Sequence, residues 1–165
     1  MKNKKVTICL LILYLLALVW IVLFKVQFSF RNLPHIRNIN LIPFGASTVI
    51  NGKTDYDEII ANFLVFIPYG LFAGILLEKR SLFSKIAPVF FTSLAFESIQ
   101  FIFAIGASDI TDLIMNTLGG LAGIGCFSCF HLFLKDNTVR ILNIICLTGA
   151  VLLFAFTGVI LLFNM

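Results

Sequence analysis

The feature that most constrains this chain is a series of five long apolar stretches. A helix needs roughly 20 mostly apolar residues to cross about 30 Å of hydrocarbon, and all five come close to or exceed that length. The stretches cover residues 6–24, 59–77, 86–105, 113–134 and 141–163. The sequence therefore predicts an all-α fold, a polytopic membrane helix bundle of about five transmembrane helices, with residues 1–165 forming a single domain.

The composition supports a membrane protein. Hydrophobic residues make up 60% of the 165 positions and charged residues 12%. Soluble domains average about 45–50% apolar and about 25% charged residues, so a soluble fold would expose much of this apolar surface. The net charge of +4 does not indicate nucleic acid as a partner, because the basic residues form short clusters between the apolar stretches.

The distribution of Lys and Arg predicts the orientation, since cytoplasmic loops carry an excess of basic residues. With the N-terminus inside, eight basic residues lie on the cytoplasmic side and four lie outside, all four within the loop 25–58. We therefore expect a multi-pass protein of the cell membrane, with a cytoplasmic N-terminus and the C-terminus outside. The first stretch is longer than the apolar region of a typical signal peptide and is expected to stay as a helix.

Glycines predict how the helices connect and pack. Gly106 suits a left-handed helix end and Ser108 or Asp109 can cap the next helix, so the third and fourth stretches should form a tight hairpin. Two motifs with the small-x-x-x-small spacing, at 70–74 and 119–123, favour close approach of the second and fourth helices to their neighbours.

Polar and ionisable residues inside the stretches are informative because they are costly to insert. A carboxylate at the middle of a spanning helix costs about 2.5–3.5 kcal/mol on insertion scales. The residues are Asn62 in the second stretch, Glu97 and Gln100 on one face of the third, and Asp109, Asp112 and Asn116 at the start of the fourth.

The helical rise of about 1.5 Å per residue gives an estimate of depth. Glu97 lies roughly 13 Å below the turn at residue 106, Asn116 roughly 10 Å below Asp109, and Asn62 about 6 Å below the start of its helix. Three helices thus bring polar groups to a similar depth near the outer face. The convergence predicts a ligand-binding pocket in the outer leaflet, although single interhelical hydrogen bonds, each worth about 0.6 kcal/mol, are the simpler alternative.

The loop 25–58 mixes aromatic, proline and basic residues, including Arg37 and Asn40. Such a segment can lie in the headgroup layer or dip into the outer leaflet over the pocket. Arg37 is predicted to hold an anionic group of a ligand or to be the cation beside Glu97. The alternative is an interfacial lid that binds no ligand.

Cysteine and histidine do not form a recognisable site in this sequence. The four cysteines, including the pair Cys126 and Cys129, fall within apolar helices, where ordinary packing explains them. His131 has no second ligand-type side chain at helical spacing. We therefore predict no metal and no cofactor.

Four short motifs follow one another in order between residues 37 and 123. They are Asn-Leu-Ile-Pro-Phe at 40–44, Phe-Ile-Pro-Tyr-Gly at 66–70 preceded by Asn62, Phe-Glu-Ser-Ile-Gln-Phe at 96–101, and Asp-Ile-Thr-Asp at 109–112 followed by Asn116 and Gly119-Gly120. This ordered series resembles the VanZ-like family of bacterial membrane proteins, although each motif alone is weak.

The resemblance implies an envelope protein linked to tolerance of teicoplanin and related lipidated glycopeptides, without supplying a reaction. The polar positions of the family fall on the candidate ligand-binding residues. These are Arg37, Asn40, Asn62, Glu97, Gln100, Asp109, Asp112 and Asn116.

Three functions remain open on these grounds. The first is binding of an amphiphile in the outer-leaflet pocket, either a membrane lipid, a lipid-linked envelope precursor or the glycopeptide antibiotic itself. The second is an enzyme that acts on a lipid-linked substrate, with Glu97, Asp109 and Asp112 as candidate catalytic residues in acid and base roles. The third is a proton-coupled transporter, which is disfavoured because no acid lies in the inner half of any stretch. The oligomeric state is left open.

Overall fold

The computed structural model describes residues 2–24, 36–44, 49–50, 53–54 and 56–163. Within these ranges the helices are α1 Lys2–Phe24, α2 Tyr56–Leu76, α3 Leu82–Phe103, α4 Ile110–Leu134 and α5 Thr138–Phe163. The strands are β1 Ile36–Asn40, β2 Val49–Ile50, β3 Lys53–Thr54 and β4 Ile105–Asp109. The predicted membrane-type helical bundle is confirmed.

The number of spans depends on how the last helical stretch is divided. Four stretches of the described chain are long and apolar enough to cross a membrane, and the last of them, residues 110–152, is 43 residues long. A 3-10 turn at Lys135–Asn137 separates α4, of 25 residues, from α5, of 26 residues. Each of the two exceeds the roughly 20 residues that one crossing needs, so the predicted count of about five is an approximate one.

Side-chain hydrogen bonds show which helix ends lie together. Thr7, near the start of α1, donates to Asn143, near the start of α5, at 3.0 Å. At the other end of the bundle, Gln100 Nε2 near the end of α3 donates to the carbonyl oxygen of Val22 near the end of α1, at 3.2 Å. The second end also carries β1 and β4, and we call it the ribbon end; the first is the opposite end.

Glycines bring the backbones of α2 and α4 into direct contact. A Cβ atom at Gly119 would lie 2.1 Å from the carbonyl oxygen of Phe63, and one at Gly123 would lie 2.0 Å from that of Ile67. Gly70 of α2 approaches the α4 backbone in the same way, with 1.9 Å for its added Cβ. Real side chains do not tolerate such distances, so the predicted close approach is confirmed for this helix pair.

The other side of α2 packs more openly, against α1 and α5. Apolar side chains of α1, α2 and α3 form a shared core, which includes Leu18, Phe66, Val89 and Phe96. Between α1, α2 and α5 lies a cavity of about 440 Å³. Helix α2 therefore has one tightly closed face and one face that borders open space.

The prediction that Gly106 ends α3 is wrong, although a short connection does join α3 to α4 and the two helices do pack against each other. The left-handed residue that ends α3 is Ala104, with φ of 53°, and Gly106 lies instead within β4. Ser108 then donates its hydroxyl to the carbonyl oxygen of Glu97 at 2.6 Å. The connection therefore runs back beside the last two turns of α3 before α4 begins.

Strand β1 pairs with β4 in parallel, from Ile36 opposite Ile105 to Asn40 opposite Asp109. Because the two strands run in the same direction, β1 also passes from the ribbon end back toward the bundle. Its pairing with β4 supplies backbone hydrogen bonds to both strands, while Asn38 and Ile39 of β1 are exposed. The two strands form a short ribbon beside α3.

Candidate functional site

The centre of the site is the contact between Glu97 and the strand β4. Glu97 is 7% exposed, and its Oε2 accepts the backbone N–H of Asp109 at 2.9 Å. The depth estimate from the sequence, which put Glu97 roughly 13 Å below the connection, is therefore wrong. It assumed that the connection lies beyond both helix ends, whereas β4 returns along α3 and brings Asp109 to the carboxylate.

Asp109 caps α4 and ties it to the ribbon. Its Oδ1 accepts the backbone N–H of Thr111 at 2.7 Å and the Nδ2 group of Asn40 at 3.1 Å. A carboxylate at a helix N-terminus satisfies a free N–H group and interacts favourably with the helix dipole. The predicted capping role of Asp109 is confirmed, and this use of the side chain explains its position without a catalytic role.

Asn40 fixes the chain that follows β1. Its Oδ1 accepts the backbone N–H of Ile42 at 3.0 Å, and its Nδ2 also donates to the carbonyl oxygen of Ile42 at 3.2 Å. Two residues further on, the N–H of Phe44 donates to the hydroxyl of Thr111 at 3.0 Å. The segment 40–44 is thereby attached to the first turn of α4, which places Asn40 in the cluster as predicted.

Gln100 lies one turn after Glu97 on α3 and faces α1. It is 4% exposed, and its Nε2 donates to the carbonyl oxygen of Val22. Its Oε1 is buried and has no hydrogen-bond partner among the described residues. The amide group of Gln100 therefore joins α3 to α1, while its oxygen remains a buried acceptor.

Asn116 shows the same arrangement between α4 and α3. The residue is fully buried, and its Nδ2 donates to Ser93 Oγ at 2.9 Å. Its Oδ1 is buried without a hydrogen-bond partner in the part of the chain that the structure describes. The sequence reasoning missed Ser93, although its position four residues before Glu97 puts it on the same helix face.

The two amide oxygens give the site a definite chemical preference. A buried acceptor that makes no hydrogen bond costs about 1–3 kcal/mol. Gln100 Oε1 and Asn116 Oδ1 can therefore each bind an N–H or O–H group with a gain in free energy, and they discriminate against a purely apolar group. Gln100 lies beside Gly106 of the ribbon, whereas Asn116 lies deeper in the bundle, where α4 meets α3 at Ser93.

The remaining predicted residues lie around this centre. Asn62 of α2 and Asp112 of α4 are half-buried. The side chain of Asn62 makes no hydrogen bond that the described residues show. Arg37 takes part in the ribbon through its backbone, opposite Gly106, while its side chain lies outside the described part of the structure. The structure thus joins Asn40, Glu97 and Asp109 directly, and its hydrogen bonds attach Gln100 and Asn116 to neighbouring helices.

A second buried polar contact, which the sequence reasoning missed, lies at the opposite end. Thr7 and Asn143 are both buried and bonded to each other between α1 and α5.

In the described chain, His, Cys, Asp and Glu side chains form no group of three or more that can hold a metal ion. The four cysteines are free thiols within the helices.

Comparison with known proteins identifies the family. The profile of the VanZ/LLP1 family matches residues 11–134. The chain belongs to the VanZ/LLP1 family. Among curated proteins, Protein VanZ of Enterococcus faecium is 40% identical to it over 146 residues, which are 87% of this chain and 86% of that protein. No solved structure matches the chain.

The VanZ/LLP1 match contains the whole of the candidate site. All eight predicted ligand-binding residues, from Arg37 to Asn116, fall within the matched residues, as does the motif series at 37–123. Helix α5, which carried no motif, begins after the match ends. The family predicted from the motif series is therefore confirmed, and the membrane-protein class with it.

Proposed function

We propose that this VanZ/LLP1 protein contributes to tolerance of teicoplanin and related lipidated glycopeptides by binding an amphiphile at its ribbon end. Membership of the family and similarity to Protein VanZ support the link to tolerance. The observation that carries the binding role is the pair of buried, unpartnered amide oxygens of Gln100 and Asn116. In the proposed orientation, with the N-terminus in the cytoplasm, the ribbon end lies in the outer leaflet.

Each polar residue has a part in this proposal. The oxygens of Gln100 and Asn116 accept N–H or O–H groups of the amphiphile, and Asp112 accepts from an amine or a hydroxyl. Arg37, whose backbone is held in the ribbon opposite Gly106, binds an anionic group, because a guanidinium matches the geometry of carboxylate and phosphate. Glu97 positions the ribbon through Asp109 and adds negative charge to the site.

The experiment compares two substitutions at one hydrogen bond. Asn116→Leu removes both the free oxygen and the amide group, whereas Ser93→Ala removes only the acceptor of that amide and leaves the free oxygen in place. The probe is teicoplanin, titrated onto the purified protein in phosphatidylglycerol vesicles. We expect Asn116→Leu to weaken binding about tenfold, roughly the value of one buried hydrogen bond, and Ser93→Ala to leave it nearly unchanged.

Equal losses in the two variants would mean that Asn116 acts only as a contact between helices, and the binding proposal would fail. Tolerance is measured in parallel as the teicoplanin concentration that stops growth, with the membrane level of each variant quantified. A modified lipid found by mass spectrometry in expressing cells, and absent with Asp112→Asn, would replace the binding proposal with the acid–base enzyme.

A further inference from the structure

The cavity between α1, α2 and α5 lies within the spanning part of the bundle, away from the ribbon. Its wall includes Leu10, Tyr14 and Ile21 of α1, Val65 and Phe72 of α2, and Gly149 of α5. From Leu10 to Ile21 the wall extends roughly 16 Å along α1, at a rise of about 1.5 Å per residue. The cavity is thus an elongated space parallel to the helices.

The lining leaves almost nothing for a polar ligand to bind. Among the described residues of the wall, only Tyr14 and Cys146 carry a polar group on the side chain. The hydroxyl of Tyr14 already donates to the carbonyl oxygen of Val65. An occupant therefore has to be hydrocarbon in this region, since an N–H or O–H group would lose its hydrogen bonds there.

The volume limits the length of that hydrocarbon. The cavity measures about 440 Å³. A methylene group takes up nearly as much space as one liquid water, ~30 Å³, so the cavity holds on the order of 15 methylene groups. This is the capacity for one fatty acyl chain, whereas two chains, or the several times longer polyprenyl chain of an envelope-precursor carrier, exceed it.

The ribbon-side limit of the cavity wall lies close to residues of the proposed polar site. Asn62 is half-buried and lies three residues before Val65, so it stands one turn closer to the ribbon end on the same face of α2. On α1, Ile21 of the wall directly precedes Val22, whose carbonyl oxygen holds Gln100. The ribbon-side limit of the wall is thus about one helical turn from these polar residues.

We propose that the cavity binds the acyl chain of a singly acylated amphiphile, whose polar head lies at the ribbon end. This inference rests on the proposed function and restricts the ligand to amphiphiles that carry one acyl chain. The chain enters from the surrounding bilayer through the space between α1 and α5, and the cavity selects by chain length because its wall extends only roughly 16 Å along α1.

The experiment measures the dependence on chain length without antibiotic. The probes are lysophosphatidylglycerols that carry a diazirine at the end of chains of increasing length, added to the purified protein in phosphatidylcholine nanodiscs. Crosslinks are located by mass spectrometry. Simple partitioning into a bilayer rises with every added methylene. We expect crosslinking inside the cavity to rise up to about 15 methylene groups and then to fall about tenfold, because longer chains no longer fit.

Two glycines provide matched variants. A Cβ atom at Gly149 in the cavity wall or at Gly125 on α4 would meet no atom within 4 Å, so both positions accept a larger side chain without strain. Gly149→Leu should shorten the longest accepted chain by about three methylene groups, the space that its side chain takes up. Gly125→Leu, outside the cavity, should leave the limit unchanged. Ala17→Leu fills the cavity from α1 and gives a second test.

A steady rise with chain length, or the same limit in Gly149→Leu and Gly125→Leu, would overturn the cavity proposal. The outcome of this crosslinking experiment is independent of the outcome of the teicoplanin titration, because no antibiotic is present. A length limit that moves with Gly149→Leu, together with full teicoplanin binding in Asn116→Leu, would overturn the polar site alone. Loss of teicoplanin binding in Asn116→Leu without a length limit would overturn the cavity alone.

Discussion

The two faces of α2 differ in how closely they are packed. Toward α4, Gly119 and Gly123 let the helix backbones touch, and an added Cβ would lie 2.0–2.1 Å from carbonyl oxygens of α2. Toward α1 and α5, the same helix borders a cavity of about 440 Å³, and Gly149 across that space has no atom within 4 Å of an added Cβ. Glycines thus bring α2 and α4 into contact, whereas Gly149 borders open space between α2 and α5.

The difference shows that a glycine in an apolar helix has no fixed meaning for packing. At the α2–α4 interface the small residues meet main-chain atoms, so the absence of a side chain gains van der Waals contact between helices. On the side of α2 that faces α1 and α5, no neighbouring atom comes close to Gly149 of α5, so the absence of a side chain there leaves open space. Rigidity on the closed side also holds α4, and with it Asn116 and Asp109, in a fixed position relative to α2.

The largest effect is expected from a methyl group on the closed side. Gly123→Ala places its Cβ 2.0 Å from the carbonyl oxygen of Ile67, and the helices have to separate. We expect a loss of stability of about 3 kcal/mol or more, since overpacking against backbone cannot be relieved by a rotamer change. Reversible unfolding in mixed micelles measures it.

The matched control is the same substitution on the open side. Gly149→Ala has free space around its Cβ and should gain about 0.5–1 kcal/mol from helix propensity. Similar losses of stability in the two variants would show that the two faces of α2 are equally packed.

The next effect concerns the charge at the ribbon. Glu97→Gln keeps an oxygen that accepts the N–H of Asp109, and so should preserve the ribbon and the stability. Because the carboxylate charge is lost, we expect this variant and Asp112→Asn to abolish teicoplanin tolerance at unchanged membrane levels. Growth inhibition and quantitative immunoblots measure the two quantities. Full tolerance in both variants would remove the two carboxylates from the site.

The features that local sequence determines were predictable. The apolar stretches follow from composition alone, the glycine spacing indicated close helix approach at α2 and at α4 without naming the partner, and Asp109 caps α4 as its position before the helix indicated. Each of these depends on residues within one helix or next to its end. The same applies to the family, whose motifs lie in short ordered segments.

The ribbon could not be predicted, because it depends on two segments far apart in the chain. Strand β4 is five residues, Ile-Gly-Ala-Ser-Asp, without an alternating pattern, and its partner β1 lies about 70 residues earlier. The depth estimate for Glu97 failed for the same reason. The sequence did not indicate the interhelical contacts of Ser93 and Thr7. A hydroxyl inside a helix often bonds to the carbonyl four residues before it, so its presence alone does not predict a partner on another helix.

The smallest effect is expected at the opposite end, where Thr7 and Asn143 form a buried hydrogen bond between α1 and α5. Thr7→Val keeps the shape of the side chain and removes the donor. In a double-mutant cycle with Asn143→Leu we expect a coupling of about 0.6 kcal/mol, the average for interhelical hydrogen bonds in membranes. Teicoplanin tolerance should stay unchanged, because this contact only holds the open side of the bundle together. If Thr7→Val instead reduces tolerance as strongly as Glu97→Gln, polar contacts at both ends of the bundle take part in the activity. The site would then extend through the protein, as a transporter requires.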